Sequence, residues 1–250
     1  MLNHPRAYLG DYRMLTRTKF GQLIFVDTRD VSISPHIIMS GDWEPWVTNA
    51  LRNGCIWAQQ VFVDVGANCG WYSLLAASMG MTVHSFEPQT HLCELMRQTA
   101  AVNGYAQRWS VDSVPLSATS GESVSLICDP DNQGGAHLQA GLGEGFGPPL
   151  ERVTACLDDK IPPGSLVNLI KIDVEGYEHK VLLGAQRVLA ENREITLAVE
   201  HHRGDEQMIE WLLSLGFKLG HFAHSGQIVD CSVQQAAELA DAEMLCFKRS

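Results

Sequence analysis

Val61-Phe62-Val63-Asp64-Val65 runs directly into Gly66-Ala67-Asn68-Cys69-Gly70, and Trp71-Tyr72-Ser73 follows. Apart from Asp64 the first five residues are Val or Phe and read as a buried strand. Trp71, Leu74, Leu75 and Met79 then recur at helical spacing up to a stop at Gly80. Working outward, residues 82–86 read as the next strand. Leu92, Leu95, Met96 and Ala100 stripe a helix that Asn103-Gly104 can close with a left-handed cap, and residues 107–111 form a third strand. Further on lie a strand at 167–172, a helix striped by Val181, Ala185, Val188 and Leu189, and a strand at 195–199. A helix striped by Met208, Trp211, Leu212 and Leu215 precedes strands at 217–222 and 244–247. This alternation predicts an α/β fold with an open, mostly parallel sheet and helices on both faces.

Two segments break the rhythm. Residues 123–128 and 152–156 are β-like and flank a glycine-rich stretch, 134–149, which reads as a long loop; together they predict an insertion at about 115–160. Residues 14–18 and 23–27 read as a hairpin, and 43–51 as a short helix. Sixty residues bury little apolar surface alone, so 1–56 are expected to cap a main domain spanning 57–250.

With 45% apolar and 19% charged residues over 250 positions, the chain can bury one large core, which excludes disorder and a disulfide miniprotein. Eighteen Lys and Arg stand against 29 Asp and Glu. The net charge of −11 offers no basic footprint for phosphates, so neither nucleic acid nor an anionic membrane is expected as a partner. Seven cysteines, odd in number and never spaced as CxxC, predict reduced thiols and a cytoplasmic setting. No apolar run of signal-peptide length opens the chain, and nowhere do eighteen apolar residues run together, so export and membrane spanning are not expected.

In an open α/β sheet the turn after the first strand lies at the carboxyl edge, where glycine lets backbone approach a nucleotide. Gly66 and Gly70 are therefore candidate cofactor positions, with Ala67, Asn68 and Ser73 beside them, although any strand-turn-helix connection can hold two glycines. Glu87 ends the second strand about twenty residues on, in Phe86-Glu87-Pro88, where a carboxylate can accept both hydroxyls of a ribose. Dinucleotide sites usually spell GxGxxG; here the spelling is GANCG, preceded by Asp64. A carboxylate there repels pyrophosphate and attracts an ammonium or sulfonium, which points to S-adenosyl-L-methionine. A nicotinamide-dependent oxidoreductase and a catalytically silent interaction module are the competing readings.

These residues resemble the FkbM-type methyltransferases, of the Rossmann-like class I S-adenosylmethionine-dependent group. The resemblance rests on Asp64-Val65-Gly66-Ala67-Asn68, on Phe86-Glu87-Pro88 and on Ile172-Asp173-Val174-Glu175-Gly176 with its surroundings, over roughly residues 42–200. It implies a seven-stranded sheet with an antiparallel final strand, and methyl transfer commonly to a hydroxyl oxygen, here of a sugar or secondary metabolite. Small-molecule and glycan hydroxyls are the acceptors it implies. Trp43-Glu44 resembles the family's cap segment, which makes Glu44 a candidate beside the cofactor.

Methyl transfer to an alcohol needs an aligned acceptor and a proton acceptor. Asp173, at the end of the fourth strand, is a candidate base or a partner for the ammonium of the methionine tail, a role Asp64 shares. Glu175 is a candidate for catalysis or for satisfying a helix start, and Lys171 is expected to pair with a carboxylate. In Glu200-His201-His202-Arg203, at the end of the fifth strand, either histidine is a second candidate base. Asp173, Glu175 and one of these histidines could also hold a divalent ion, although their separation in sequence is a weak metal signal. Asp112 and Ser113, ending the third strand, are expected near the adenine, and Gly134-Gly135-Ala136-His137 near the acceptor.

Overall fold

The computed structural model describes residues 5–127, 137–139 and 150–249. The chain opens with an antiparallel sheet of β1 (Ala7–Tyr8), β2 (Arg13–Arg17) and β3 (Leu23–Asp27), followed by α1 (Ile33–Ser40) and α2 (Pro45–Gly54). The alternation begins with β4 (Val61–Val65), α3 (Trp71–Ser78), β5 (Thr82–Phe86), α4 (Thr90–Val102) and β6 (Trp109–Asp112). It is interrupted by a small sheet of β7 (Ser123–Ile127), β8 (His137–Gln139) and β9 (Leu150–Val153). It resumes with α5 (Leu157–Lys160), β10 (Leu169–Ile172), α6 (Glu178–Leu183), α7 (Gln186–Glu191) and β11 (Thr196–His201). The chain finishes with α8 (Glu206–Ser214), β12 (Phe217–Ala223), β13 (Gln227–Asp230), α9 (Val233–Ala237) and β14 (Glu243–Arg249).

The main sheet has the order β13-β12-β14-β11-β10-β4-β5-β6. From β6 to β11 every pairing is parallel, and β14 inserts antiparallel between β11 and β12. The resemblance implied seven strands. The eighth is β13, which folds back on β12 with Gly220 opposite Asp230 and Ala223 opposite Gln227.

Strand alternation divides the core between the two faces. Phe62 and Leu169 point into one apolar cluster, and Val63, Val65, Ile170 and Ile172 into the other. Lys171 pairs in register with Asp64, and Asp64 with Ser85, so these three polar residues form a row across the buried middle of the sheet. The helix expected over 181–189 is two helices. A Cβ at Gly184 would sit 2.1 Å from the Ser117 carbonyl oxygen, and the break at Gly184-Ala185 lets that strand-side backbone pass close to the helix. The N-terminal sheet is tied to α4 by the amides of Leu23 and Phe25, which donate to Asn103 Oδ1 and Thr99 Oγ1, both at 3.0 Å. Gly134, Gly135 and Ala136 lie outside the described residues. Among the described residues, no helix is long and apolar enough to cross a membrane.

Candidate active site

The carboxyl ends of β4, β5, β10 and β11 open on a cavity of about 320 Å³, within the range of small-molecule sites. Its floor is the turn after β4. Gly66 has φ of +71°, and a Cβ there would stand 1.8 Å from the Asp173 carbonyl oxygen, so only glycine allows β4 and β10 to end side by side. All five amides of the turn are engaged within the protein. Gly66 and Ala67 donate to the Phe86 carbonyl at 3.0 and 3.2 Å, and Asn68 to Glu87 Oε2 at 2.9 Å. Cys69 donates to Asn68 Oδ1 at 2.7 Å and Gly70 to the Ala67 carbonyl at 2.8 Å.

Glu87 is 4% exposed and lines the cavity; its other oxygen, Oε1, accepts the Gln89 amide at 2.9 Å. Each carboxylate oxygen thus holds one backbone N–H and keeps acceptor capacity. Burial pushes the Glu87 carboxyl up to about 7, against the opposing pull of the Gln89 and Asn68 amides. Beside it, Phe86, Pro88, Val114, Leu116 and Leu126 make an apolar shelf.

Another part of the lining is ionic. Lys171 Nζ, buried under the sheet edge, donates to Asp173 Oδ2 at 2.9 Å and to the Gly66 carbonyl at 3.0 Å, and lies 3.9 Å from Asp64 Oδ1. Burial alone would lower the Lys171 ammonium, and Asp173 and Asp64 more than reverse this, so it stays charged. Burial nevertheless raises the Asp64 carboxyl, against the opposing pull of Lys171 and of the Ser73 hydroxyl. Glu44 sits at φ of +39° at the start of α2, with its carboxylate accepting the Tyr72 hydroxyl; burial raises its pKa. Glu175, at φ of +54°, and Glu200 complete this wall.

Of the residues singled out from sequence, Glu44, Gly66, Ala67, Asn68, Glu87, Asp173 and Glu175 line the cavity. Seven others do not. Asp64 and Ser73 lie behind the turn, bonded to each other at 2.5 Å, with Ser73 bonded onward to Ser85 at 2.7 Å; they brace the turn from inside the protein. Gly70 is glycine for packing, since a Cβ would meet Met96 at 2.7 Å and Trp109 at 2.9 Å. Asp112 turns out toward Lys160 at 3.8 Å and Ser113 toward Thr90 at 3.2 Å; the apolar shelf begins one residue later, at Val114.

Neither histidine faces the cavity as a free base. His201 is buried, with Nδ1 3.6 Å from Asp205. His202 Nε2 lies 3.8 Å from Glu178 and 2.9 Å from Glu200, and these two carboxylates raise its pKa so that it is already protonated at neutral pH. The cation group anticipated from Asp173, Glu175 and a histidine is also rearranged. Glu175 and His202 lie together with Glu200, their ligand atoms within 4.8 Å of one another, and Asp173 stays with Lys171. Tyr72, Leu126 and Glu200 were not singled out. Glu200 carried a legible signal, as the last acidic residue before the end of a buried strand, whereas Tyr72 and Leu126 look like ordinary core residues.

The profile of the Methyltransferase FkbM domain matches residues 64–219, more than half of the chain. No curated protein matches in sequence. Solved structures of similar fold include Methanocaldococcus jannaschii Trm5 in complex with adenosine, with a TM-score of 0.52 at 12% identity over 98% of this chain and 58% of that one. P. horikoshii TYW2 in complex with MeSAdo gives 0.51 at 11% identity over 97% and 74%. The M. jannaschii tRNA m1G37 methyltransferase gives 0.50 at 12% identity over 98% and 56%. This chain thus spans little more than half the length of two of the three. Because a tRNA methyltransferase shares the fold, the exclusion of nucleic acid drawn from the charge of −11 is overturned: overall charge does not decide the acceptor. The match over residues 64–219, on an α/β fold with a mixed sheet shared with methyltransferases, places the chain in the FkbM family of S-adenosylmethionine-dependent methyltransferases.

Proposed function

We propose that this methyltransferase acts on a hydroxyl oxygen, of the kind carried by a sugar or a secondary metabolite. S-adenosylmethionine supplies an electrophilic methyl group on a sulfonium, and the cavity suits it end to end. Glu87 accepts the ribose hydroxyls, the shelf of Phe86, Pro88, Val114 and Leu116 takes the adenine, and Asp173, oriented by Lys171, takes the ammonium of the methionine tail. One observation carries the choice of cofactor: the amides from Gly66 to Gly70 are all bonded internally, so the turn has no backbone donors for a pyrophosphate. Carboxylates line the ionic part of the cavity, where they favour a sulfonium cation and accept hydrogen bonds from hydroxyl groups. Calorimetry is expected to show S-adenosylhomocysteine binding and no binding of NADH; the reverse would revive the oxidoreductase reading. Labelled methyl transfer tested on glycosides, hydroxylated metabolites and tRNA identifies the acceptor. Label on a nitrogen alone would refute the oxygen assignment, and no label on any acceptor would favour the silent-module reading.

Glu87 gives this affinity a pH dependence. Its carboxyl sits at about 7 rather than the ordinary 4.5, so the ligand-free fold favours the protonated form and loses stability as pH rises from about 4.5 to about 7. The ribose requires the ionised form. Affinity for S-adenosylhomocysteine is therefore expected to fall as pH drops below about 7, and Glu87→Gln should flatten that profile. Glu87→Ala should weaken binding at pH 8 at least about tenfold, since hydrogen bonds to a charged group contribute roughly 1.5–3 kcal/mol. Unchanged affinity in Glu87→Ala would refute the ribose assignment.

A further inference from the structure

With the two histidines removed from the cavity, methyl transfer to a hydroxyl lacks an assigned proton acceptor. Asp173 is held by Lys171 at 2.9 Å, the Glu44 carboxylate takes the Tyr72 hydroxyl, and Glu175 is partly open to solvent on its turn. Glu200 is also held by a cation, His202, but it is the carboxylate of this wall that neither the methionine tail nor the Tyr72 hydroxyl claims, and it is buried at the cavity edge. It lies on β11 one residue past Val199, which pairs with Ile172, so it stands beside Asp173 at the edge where the cavity opens. It is 6% exposed, and its Oε2 lies 2.9 Å from His202 Nε2. Behind His202 stands Glu178, 1% exposed, whose Oε1 accepts the amides of Val174 at 2.9 Å and Gly176 at 3.2 Å. Glu178 thereby fixes the turn that carries Glu175 and presents a second carboxylate 3.8 Å from the imidazole.

We infer that Glu200 is the catalytic residue that takes the proton of the acceptor hydroxyl, and that His202, held between Glu200 and Glu178, positions it. This rests on the proposed transfer to oxygen. As the acceptor oxygen bonds to the methyl carbon, the carbon–sulfur bond breaks and its electron pair stays on sulfur, leaving a neutral thioether. The hydroxyl proton passes to Glu200 Oε, so the positive charge lost from sulfur is balanced by the charge lost from the carboxylate. The imidazolium remains protonated throughout and orients the carboxylate.

The charged groups around Glu200 are Lys171 on β10, Asp173 just past its end, Glu175 on the turn, His202 after β11, and Glu178 on α6; Asp205 binds the His202 amide from the start of α8. Burial, Asp173 and Glu175 raise the Glu200 carboxyl and His202 opposes them, so the ionised base becomes more populated as pH rises. Replacing His202 with a neutral residue should raise the carboxyl further.

The test uses the full chain and its Glu200→Gln and His202→Gln variants. In carbon NMR of protein with carboxyl-labelled glutamate, without cofactor, one raised titration is expected to vanish in Glu200→Gln and to move to higher pH in His202→Gln. With an acceptor that accepts label, Glu200→Gln should bind S-adenosylhomocysteine within about threefold of the parent while turnover falls by about 10²–10⁴. His202→Gln should keep partial turnover, with the rising limb of its pH profile shifted upward. The inference is overturned if Glu200→Gln turns over at a tenth of the parent rate or better, or if His202→Gln leaves both turnover and its pH profile at the parent's. Loss of parent turnover to a chelator, restored by Mg²⁺ or Mn²⁺, would instead assign Glu175, Glu200 and His202 to a metal ion. Failure of the parent to bind S-adenosylhomocysteine would count against the cofactor assignment instead, whatever the NMR titrations show.

Discussion

Gly66→Ala is expected to destabilise the fold by about 3–5 kcal/mol and to abolish measurable S-adenosylhomocysteine binding. Two costs combine. A non-glycine residue at φ of +71° costs roughly 1–2 kcal/mol, and the new Cβ would lie 1.8 Å from the Asp173 carbonyl oxygen and 3.1 Å from Val174 Cγ1. Relief requires the ends of β4 and β10 to part, although Asp173 donates its amide to the Val65 carbonyl there at 3.2 Å. The control is Gly104→Ala. Gly104 has a similar φ of +75° with nothing within 4 Å of its Cβ position, so only the backbone cost applies. Gly184→Ala supplies the complementary case, an ordinary backbone with a Cβ 2.1 Å from the Ser117 carbonyl oxygen. At roughly 2–4 °C per kcal/mol for a chain of this size, Gly66→Ala should melt about 10 °C lower, and Gly104→Ala only a few degrees lower. Equal melting shifts for Gly66→Ala and Gly104→Ala would mean that close approach of the strands is not what glycine provides at position 66.

That contrast also explains what could be read from the sequence. That Gly66 and Glu87 would line the cavity was legible because the constraints on their positions are local: a strand must turn at a sheet edge, and the next strand must end beside it. Gly70 carries an equally strong local signal with a different cause, since what occupies the space is Met96 on α4 and Trp109 on β6, neither of which is near it in sequence. Asp64 misled for a related reason. A carboxylate at the end of a buried strand looks like a ligand-binding group, yet Asp64 is fully buried against Ser73 and behind Lys171, and Lys171 rather than Asp64 lines the cavity. The role of the histidines depended on whether Glu178, more than twenty residues earlier, would reach them. The extra strand β13 was missed because its four residues have mixed polarity and are largely exposed, leaving no periodic apolar signal.

Lys171→Met is expected to cost about 3–5 kcal/mol at pH 8, because removing one member of a buried ion group leaves the others uncompensated. The ammonium is 4% exposed and compensates two carboxylates, Asp173 at 2.9 Å and Asp64 at 3.9 Å, of which Asp64 is 1% exposed with Oδ1 lacking any hydrogen bond. The sign of the pH dependence follows from Asp64. Burial already raises its carboxyl, and loss of the nearest cation must raise it further, so the unfavourable ionised form is relieved by protonation. The deficit of Lys171→Met relative to the parent, measured by urea denaturation, should therefore shrink as pH is lowered from 8 toward 5. Adding Asp64→Asn to Lys171→Met supplies an independent check at constant pH. With the buried charge gone, the double variant should recover about half of the loss or more, giving a coupling between the two positions well above the value for distant sites. A deficit that neither low pH nor Asp64→Asn reduces would show that Lys171 matters chiefly through its hydrogen bond to the Gly66 carbonyl. The turn, rather than the carboxylate pair, would then be what the buried ammonium holds in place.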